Sequence, residues 1–361
     1  MSSKMKQKNY KLDASNVFIL SFIVGVIALI VAGVVFLEIK NSLVKKESLT
    51  SFDQMAYEAH QEKIRMMEEL DSYWEIPELV NVLDKDQREL IKYGRELIIH
   101  TSRYLGPKGS VKNLSNGMNC QNCHLDAGTK VWGNNYGAVA STYPKVRARS
   151  GQMESMEKRI NDCFERSLNG EALANDSKEM KAIVAYMKFL GTHVEKGVTP
   201  EGTGIYNIPF LDRAADPVRG ESIYADKCAS CHGANGEGML AIDQREYTYP
   251  PLWGPNSYNS GAGLFRMSRL AGYVKYNMPF GASLLDPQMS DEDSWDVSAY
   301  INSQPRPSKD ISQDWPDISK KPIDHPFGPY ADTFSEQQHK YGPFAPIKEY
   351  REQQKKSGTK K

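Results

Sequence analysis

The sequence predicts a mainly α fold built from two small helical domains, and three observations carry that prediction. A short amphipathic helix, a Cys-x-x-Cys-His motif, loops and a closing helix are written twice. Both closing helices carry their own start and stop signals. At 361 residues the chain is longer than one ordinary domain and leaves length for tails.

The leading helices begin near Gly94 (GRELIIHTSRYL) and Gly220 (GESIYADK), and each runs into a cysteine motif. Those motifs are Cys120-Gln-Asn-Cys123-His124 and Cys228-Ala-Ser-Cys231-His232. The first closing helix starts from Asp176-x-x-Glu179, a capping-box pattern, and presents Met180, Ile183, Val184, Met187 and Leu190 before Gly191. The second starts from Ser290-x-x-Asp293, carries Trp295, Val297 and Ile301, and ends at Pro305. This organisation gives segments 1–40, 41–85, 86–200, 201–305 and 306–361. Residues 41–85 are polar and helix-prone, and read as a stalk or a helix packed on the first domain. Between Pro305 and Pro346 lie eight prolines with interleaved aromatics, which predicts an irregular segment wrapped over both domains, followed by a frayed basic end.

Charge and hydropathy limit the function classes. Lys+Arg and Asp+Glu both number 45, so the global basic bias of a nucleic-acid binder is absent. One stretch departs from the soluble pattern: residues 17–37, twenty-one in number, contain no charge. As a helix that run spans about 30 Å, the hydrocarbon thickness of a bilayer. Lys4, Lys6, Lys8 and Lys11 precede it, which keeps the N-terminus cytoplasmic. The expectation is one transmembrane anchor, with a cleaved signal as the rival, and an exported body on the periplasmic face of a bacterial inner membrane.

Cys-x-x-Cys-His is the attachment signature of c-type haem. Two thiols at this spacing reach the two vinyl groups of one porphyrin, and the adjacent imidazole falls under the iron. Cys120, Cys123, Cys228 and Cys231 are therefore the expected anchors of two haem c groups, with His124 and His232 as proximal ligands. The domains are accordingly cytochrome c-like. A zinc site would want four ligands together, and a thioredoxin-like motif a βαβ context that is missing. For the second iron, Met278 in Tyr-Asn-Met-Pro-Phe-Gly is the candidate sixth ligand, with Met289 as competitor; a His/Met pair suits electron transfer.

The first domain has no comparable methionine loop, since Met118 lies too close to its cysteine motif. It has the fifth cysteine instead. On a helix, Arg159, Cys163 and Ser167 fall on one stripe beside Ile160, Phe164 and Leu168. A lone cysteine is commonly an inert buried hydrophobe. Here the alternative is a ligand or nucleophile among cations, Arg147, Arg149 and Arg166 being near in sequence, with His100 the other candidate for the first iron.

These motifs resemble those of the dihaem thiosulfate dehydrogenase / tetrathionate reductase family of periplasmic cytochromes c. The resemblance runs from about Asp86 to Tyr350. It rests on Asn122-Cys123-His124-Leu-Asp-Ala-Gly-Thr, Tyr143-Pro144-Lys-Val-Arg147-Ala-Arg149, the Arg159–Gly170 helix, Asn277-Met278-Pro279 and the proline-rich end. It implies His124 and Cys163 on the first iron and His232 and Met278 on the second. It also implies Arg149, Arg159 and Ser167 as substrate-binding residues, and interconversion of two thiosulfates with tetrathionate plus two electrons. A periplasmic c-type cytochrome or other redox protein is the expected partner. Relatives with lysine before the methionine have a competing ligand, whereas here that position is Asn277. Two other classes share these features: an anchored dihaem electron-transfer subunit without its own substrate, and a sulfur-oxidation (Sox-type) cytochrome.

Overall fold

The computed structural model describes residues 73–358 continuously, most of 22–40, and positions 58, 61 and 65. The chain divides into two compact units, 1–68 and 69–361. In the first, the described residues between 22 and 40 are helical and exposed. The expected membrane span, 17–37, falls partly outside the described residues, and among the described residues no helix is long and apolar enough to cross a membrane.

The second unit contains both repeats. Helix α1 (Lys85–Ile99) starts at Asp84, whose carboxylate accepts from Gln87 N at 2.7 Å. Helix α2 (Met156–Asp162) runs on into a π turn (Cys163–Ser167), and α3 (Lys178–Leu190) closes the first repeat. The cap of α3 is Ser177, one residue later than the Asp176 box: its hydroxyl accepts from Met180 N at 3.1 Å. In the second repeat α4 (Pro217–Lys227), α5 (Met267–Asn277) and α6 (Asp291–Ser303) follow. Ser290 caps α6 as its sequence suggests, accepting from Asp293 N at 3.0 Å.

Each repeat is closed by its first and last helices crossing at a glycine. A Cβ on Gly94 would lie 2.0 Å from the Ala182 carbonyl oxygen of α3, and one on Gly220 would lie 2.0 Å from the Asp296 carbonyl oxygen of α6. Backbone-to-backbone approach of this kind leaves room for a hydrogen atom only. The two crossings define the repeat better than any side chain, and they place each cysteine motif just beyond the C-terminal end of its leading helix.

Short antiparallel pairs bridge the loops: β1 (Lys145–Val146) with β2 (Met153–Glu154), and β3 (Met239–Leu240) with β4 (Tyr247–Tyr249). The repeats share a core, because Tyr247, Tyr258 and Phe265 of the second are buried with Ile98, Phe164 and Leu190 of the first. From Tyr73 onward the segment before α1 is packed, not free: Trp74 donates from its indole to Leu190 O at 3.0 Å.

In the C-terminal region Phe327 packs on the shared core, and Tyr341, Phe344 and Ile347 are buried beside Trp295. The region is less irregular than its prolines suggest. It ends in two helices, Glu336–Tyr341 and α7 (Ala345–Gly358), so the basic end is ordered through Gly358. Glu, Gln, Lys and Arg are good helix formers, Pro346 sits harmlessly in the first turn, and fully buried Ile347 anchors the helix. Gly94→Ala and Gly220→Ala should each lower holoprotein stability by about 3 kcal/mol through overpacking, read as a fall in thermal midpoint; an unchanged midpoint would contradict the crossing geometry.

Candidate functional site

The first cysteine motif opens onto a cavity whose wall includes Cys120, Cys123 and His124. Its walls are largely apolar, with Ile98, Val139, Ile160, Phe164, Ile183 and Met187 among them. Cys120, Cys123, His124, Arg159, Cys163 and Ser167 reach the same space. Six residues separated by up to 47 positions in sequence are thus brought onto one cavity.

The fit to a haem rests on how these groups are held. Cys120 N donates to Thr101 Oγ1 at 2.9 Å, which ties the motif to the end of its leading helix. His124 Nδ1 is hydrogen-bonded to Asn134 O at 2.5 Å, and His232 Nδ1 to Pro250 O at 2.8 Å. With Nδ1 bonded to a carbonyl, each imidazole keeps Nε2 as the lone-pair nitrogen, the state a metal requires. Burial pushes His124 down to about 4 and lowers His232 as well, so both rings are neutral at pH 7. Burial also pushes the Cys120 and Cys123 thiols up to about 12. These are buried thiols in greasy surroundings, apt for thioether attachment and poor as free nucleophiles.

Cys163 has different company. Arg159 Nη1 donates to its sulfur at 3.0 Å, and the electrostatic interaction with Cys163 holds the guanidinium well above its ordinary range. A charge-assisted donor of this kind favours an anionic sulfur. The predicted i, i+4, i+8 stripe is altered by the π turn, in which Leu168 N bonds to Cys163 O at 2.9 Å, five residues back. All three stripe residues nevertheless face the cavity. The widened turn is braced by the second repeat: Asn259, almost fully buried, donates to Glu165 O and Asn169 Oδ1, both at 2.9 Å.

Arg149 is not part of the cavity wall. It sits in the loop that joins β1 to β2, donating to Gly261 O at 3.0 Å, and burial followed by the nearby Arg166 pushes it down to about 10, still cationic at pH 7. Arg159 acts on it in the same sense, so the two guanidiniums are electrostatic neighbours. His100, the other sixth-ligand candidate, does not line the cavity, and its Nδ1 is held by Glu246 at 2.9 Å.

In the second repeat Met278 is the C-cap of α5, half-buried against the core that holds Tyr224, Trp253 and Met289. Asn277 turns its amide away from that core and donates to Trp132 O, in the first repeat, at 3.2 Å. Tyr273, on the same helix, donates to Asn122 O inside the first cysteine motif at 3.2 Å. The helix that ends at Met278 is therefore bonded to the loop that carries His124.

Several site residues left no signal in the sequence. Tyr136 lies against His124 with ring centroids 4.5 Å apart. Asp314 forms a two-pronged ion pair with Arg166 at 2.8 Å on each oxygen. Glu246 accepts from Arg103 at 2.8 Å and from Asn119 Nδ2 at 3.1 Å, and Asn119 caps the turn containing Cys120. Each depends on a contact across more than 10 residues, beyond the reach of local patterning.

Two repeats with paired cysteines, a carbonyl-oriented histidine and an apolar cavity define a two-domain c-type cytochrome. Residues 110–194 match the SoxA/TsdA cytochrome c domain, and residues 217–305 match the Cytochrome c domain. The thiosulfate dehydrogenase of Allochromatium vinosum is 41% identical over 59% of this chain and 79% of its own length. That of Psychrobacter arcticus is 35% identical, over 67% of this chain and 71% of its own. The solved as-isolated thiosulfate dehydrogenase (TsdBA) of Marichromatium purpuratum aligns with a TM-score of 0.60 and 32% identity. That alignment covers 65% of this chain and 50% of the solved one, so this chain spans half its length. The chain belongs to the thiosulfate dehydrogenase family, and it carries two covalently bound c-type haems.

Glu246→Ala would leave Arg103 and the Asn119 amide without their buried acceptor. We expect a loss of about 3 kcal/mol in the unfolding free energy of the holoprotein, measured in guanidinium; a loss under about 1 kcal/mol would show the link to be incidental.

Proposed function

We propose that this chain interconverts two thiosulfates and tetrathionate with transfer of two electrons, the first repeat carrying the chemistry and the second passing electrons onward. The observation that carries this reading is the Arg159–Cys163 contact on the wall of the cavity that His124 shares. On this reading Cys120, Cys123, His124 and Cys163 would hold the first haem, and Cys228, Cys231, His232 and Met278 the second. The haems, when bound, supply two one-electron acceptors or donors.

The residues answer the physical demands of the reaction. Bringing two dianions to about 4 Å costs roughly 4 kcal/mol even in water, and more in a cavity of lower dielectric. Arg159 and Arg149 offset that repulsion by binding sulfonate oxygens, and Ser167 donates a further hydrogen bond. Cys163, as thiolate, bonds to the sulfane sulfur of one thiosulfate: a sulfur–sulfur bond forms, two electrons leave, and an S-thiosulfonate of charge −1 remains. The sulfane sulfur of a second thiosulfate then attacks the sulfane sulfur of that adduct. Tetrathionate departs as a dianion and the Cys163 thiolate is restored. Charge and atoms balance in both steps, and both run in either direction.

The same reading puts the catalytic body on the periplasmic side of an inner membrane, tethered through residues 17–37, with a c-type cytochrome or similar redox protein as partner. Its support is the uncharged run after four lysines, together with haem c attachment outside the cytoplasm.

Cys163→Gly should lower thiosulfate turnover with ferricyanide by about 10³-fold or more while a haemochrome assay still counts two haems; full activity would refute the thiol mechanism. In low-temperature EPR of the oxidised holoprotein, a thiolate-ligated low-spin signal is expected, and the same substitution should remove it. If both irons instead give only His/Met or His/His signals, the electron-transfer-subunit reading takes over.

A further inference from the structure

The C-terminal wrap reaches Arg149, which the proposed function assigns to substrate binding. Trp315 N donates to Arg149 O at 2.6 Å, and the Arg149 guanidinium lies over the Trp315 ring, 5.2 Å from its centroid. Asp314, next in sequence, is gripped by Arg166 through both oxygens and stands 3.9 Å from Arg149 Nε. Trp315 is almost fully buried, and its backbone is left-handed, with φ +57°. A bulky L-residue pays for that conformation and keeps it only where its surroundings demand it. Here the demands are legible: Lys321 Nζ lies 5.3 Å from the ring centroid and the His325 ring 4.4 Å away, so the indole is held in a cage.

We propose that Trp315, with Asp314 anchoring its segment to Arg166, is a positioning residue that presents the Arg149 guanidinium to the sulfonate of thiosulfate. This rests on the substrate-binding reading of Arg149 given above. Asp314 spends its charge on Arg166, a close two-pronged pair, and reaches Arg149 only at a distance. Arg149 therefore keeps its positive charge for a dianion while the indole face and Gly261 O limit its rotamers. A guanidinium ordered before binding loses less entropy when the anion arrives, so the effect falls on affinity. The segment after residue 305 is then part of the substrate site.

The test is a KM-against-kcat comparison on dihaem holoenzyme with thiosulfate and ferricyanide. Trp315→Gly removes the ring but tolerates the left-handed backbone. It should raise KM about five- to tenfold, the weight of a desolvated cation–π contact, with kcat within about twofold and two haems retained. Trp315→Leu, which keeps apolar bulk without a π face, should raise KM similarly, and Trp315→Phe should restore most of it. Arg149→Gln is the control for the underlying reading. If it raises KM while the Gly and Leu variants both match wild type, the positioning role of Trp315 is wrong and the role of Arg149 stands. If Arg149→Gln itself leaves KM unchanged, the substrate-binding reading of Arg149 fails, and this inference falls with it. Should the Gly variant lose haem, the Leu and Phe pair decides: equal KM values in the two would overturn the proposal.

Discussion

The hydrogen bond from Arg159 to the sulfur of Cys163 is the interaction on which the functional reading depends. A cysteine on an apolar wall is ordinarily a neutral filler, as Cys120 and Cys123 would be without a porphyrin. A guanidinium one helical turn away changes what the sulfur can be, because it rewards negative charge where the cavity walls penalise it. On the proposed reading, two roles that usually call for different residues, a metal ligand and a nucleophile, fall on one atom. The contact is made within a single helix, so it is present before any substrate arrives.

The second repeat supports that helix from outside. Asn259 satisfies the carbonyl that the π turn leaves free, and Tyr273 and Asn277 bond the Met278 helix to the loop around His124. The shared core makes the two repeats one packed body, with Tyr247, Tyr258 and Phe265 of the second buried in the first. Close packing of this kind suits a protein that must keep two redox centres at a constant separation.

Much of the site could be read from local spacing. Cys-x-x-Cys-His puts its three groups in adjacent positions, so no folding is needed to know they act together. The Arg159–Cys163–Ser167 stripe is likewise a property of one helix, and it survived the π turn because both ends of the segment stay packed through Ile160 and Leu168. The α3 cap shifted by one residue because Ser177 and Asp176 are both competent caps, and it is the Ser177 hydroxyl that accepts from Met180 N.

By itself, then, the sequence determined the mainly α class, the duplication, the haem anchors and the odd cysteine among arginines, because each is written in local motifs and their repetition along the chain. Only the tertiary structure decided which cations remain available. Asp314 comes from 148 residues away to neutralise Arg166, and Trp315 comes with it to lie against Arg149. Glu246 pairs with His100, which does not line the cavity. Charge pairing of this sort depends on distance in space, which falls steeply with separation and leaves no periodic trace along the chain.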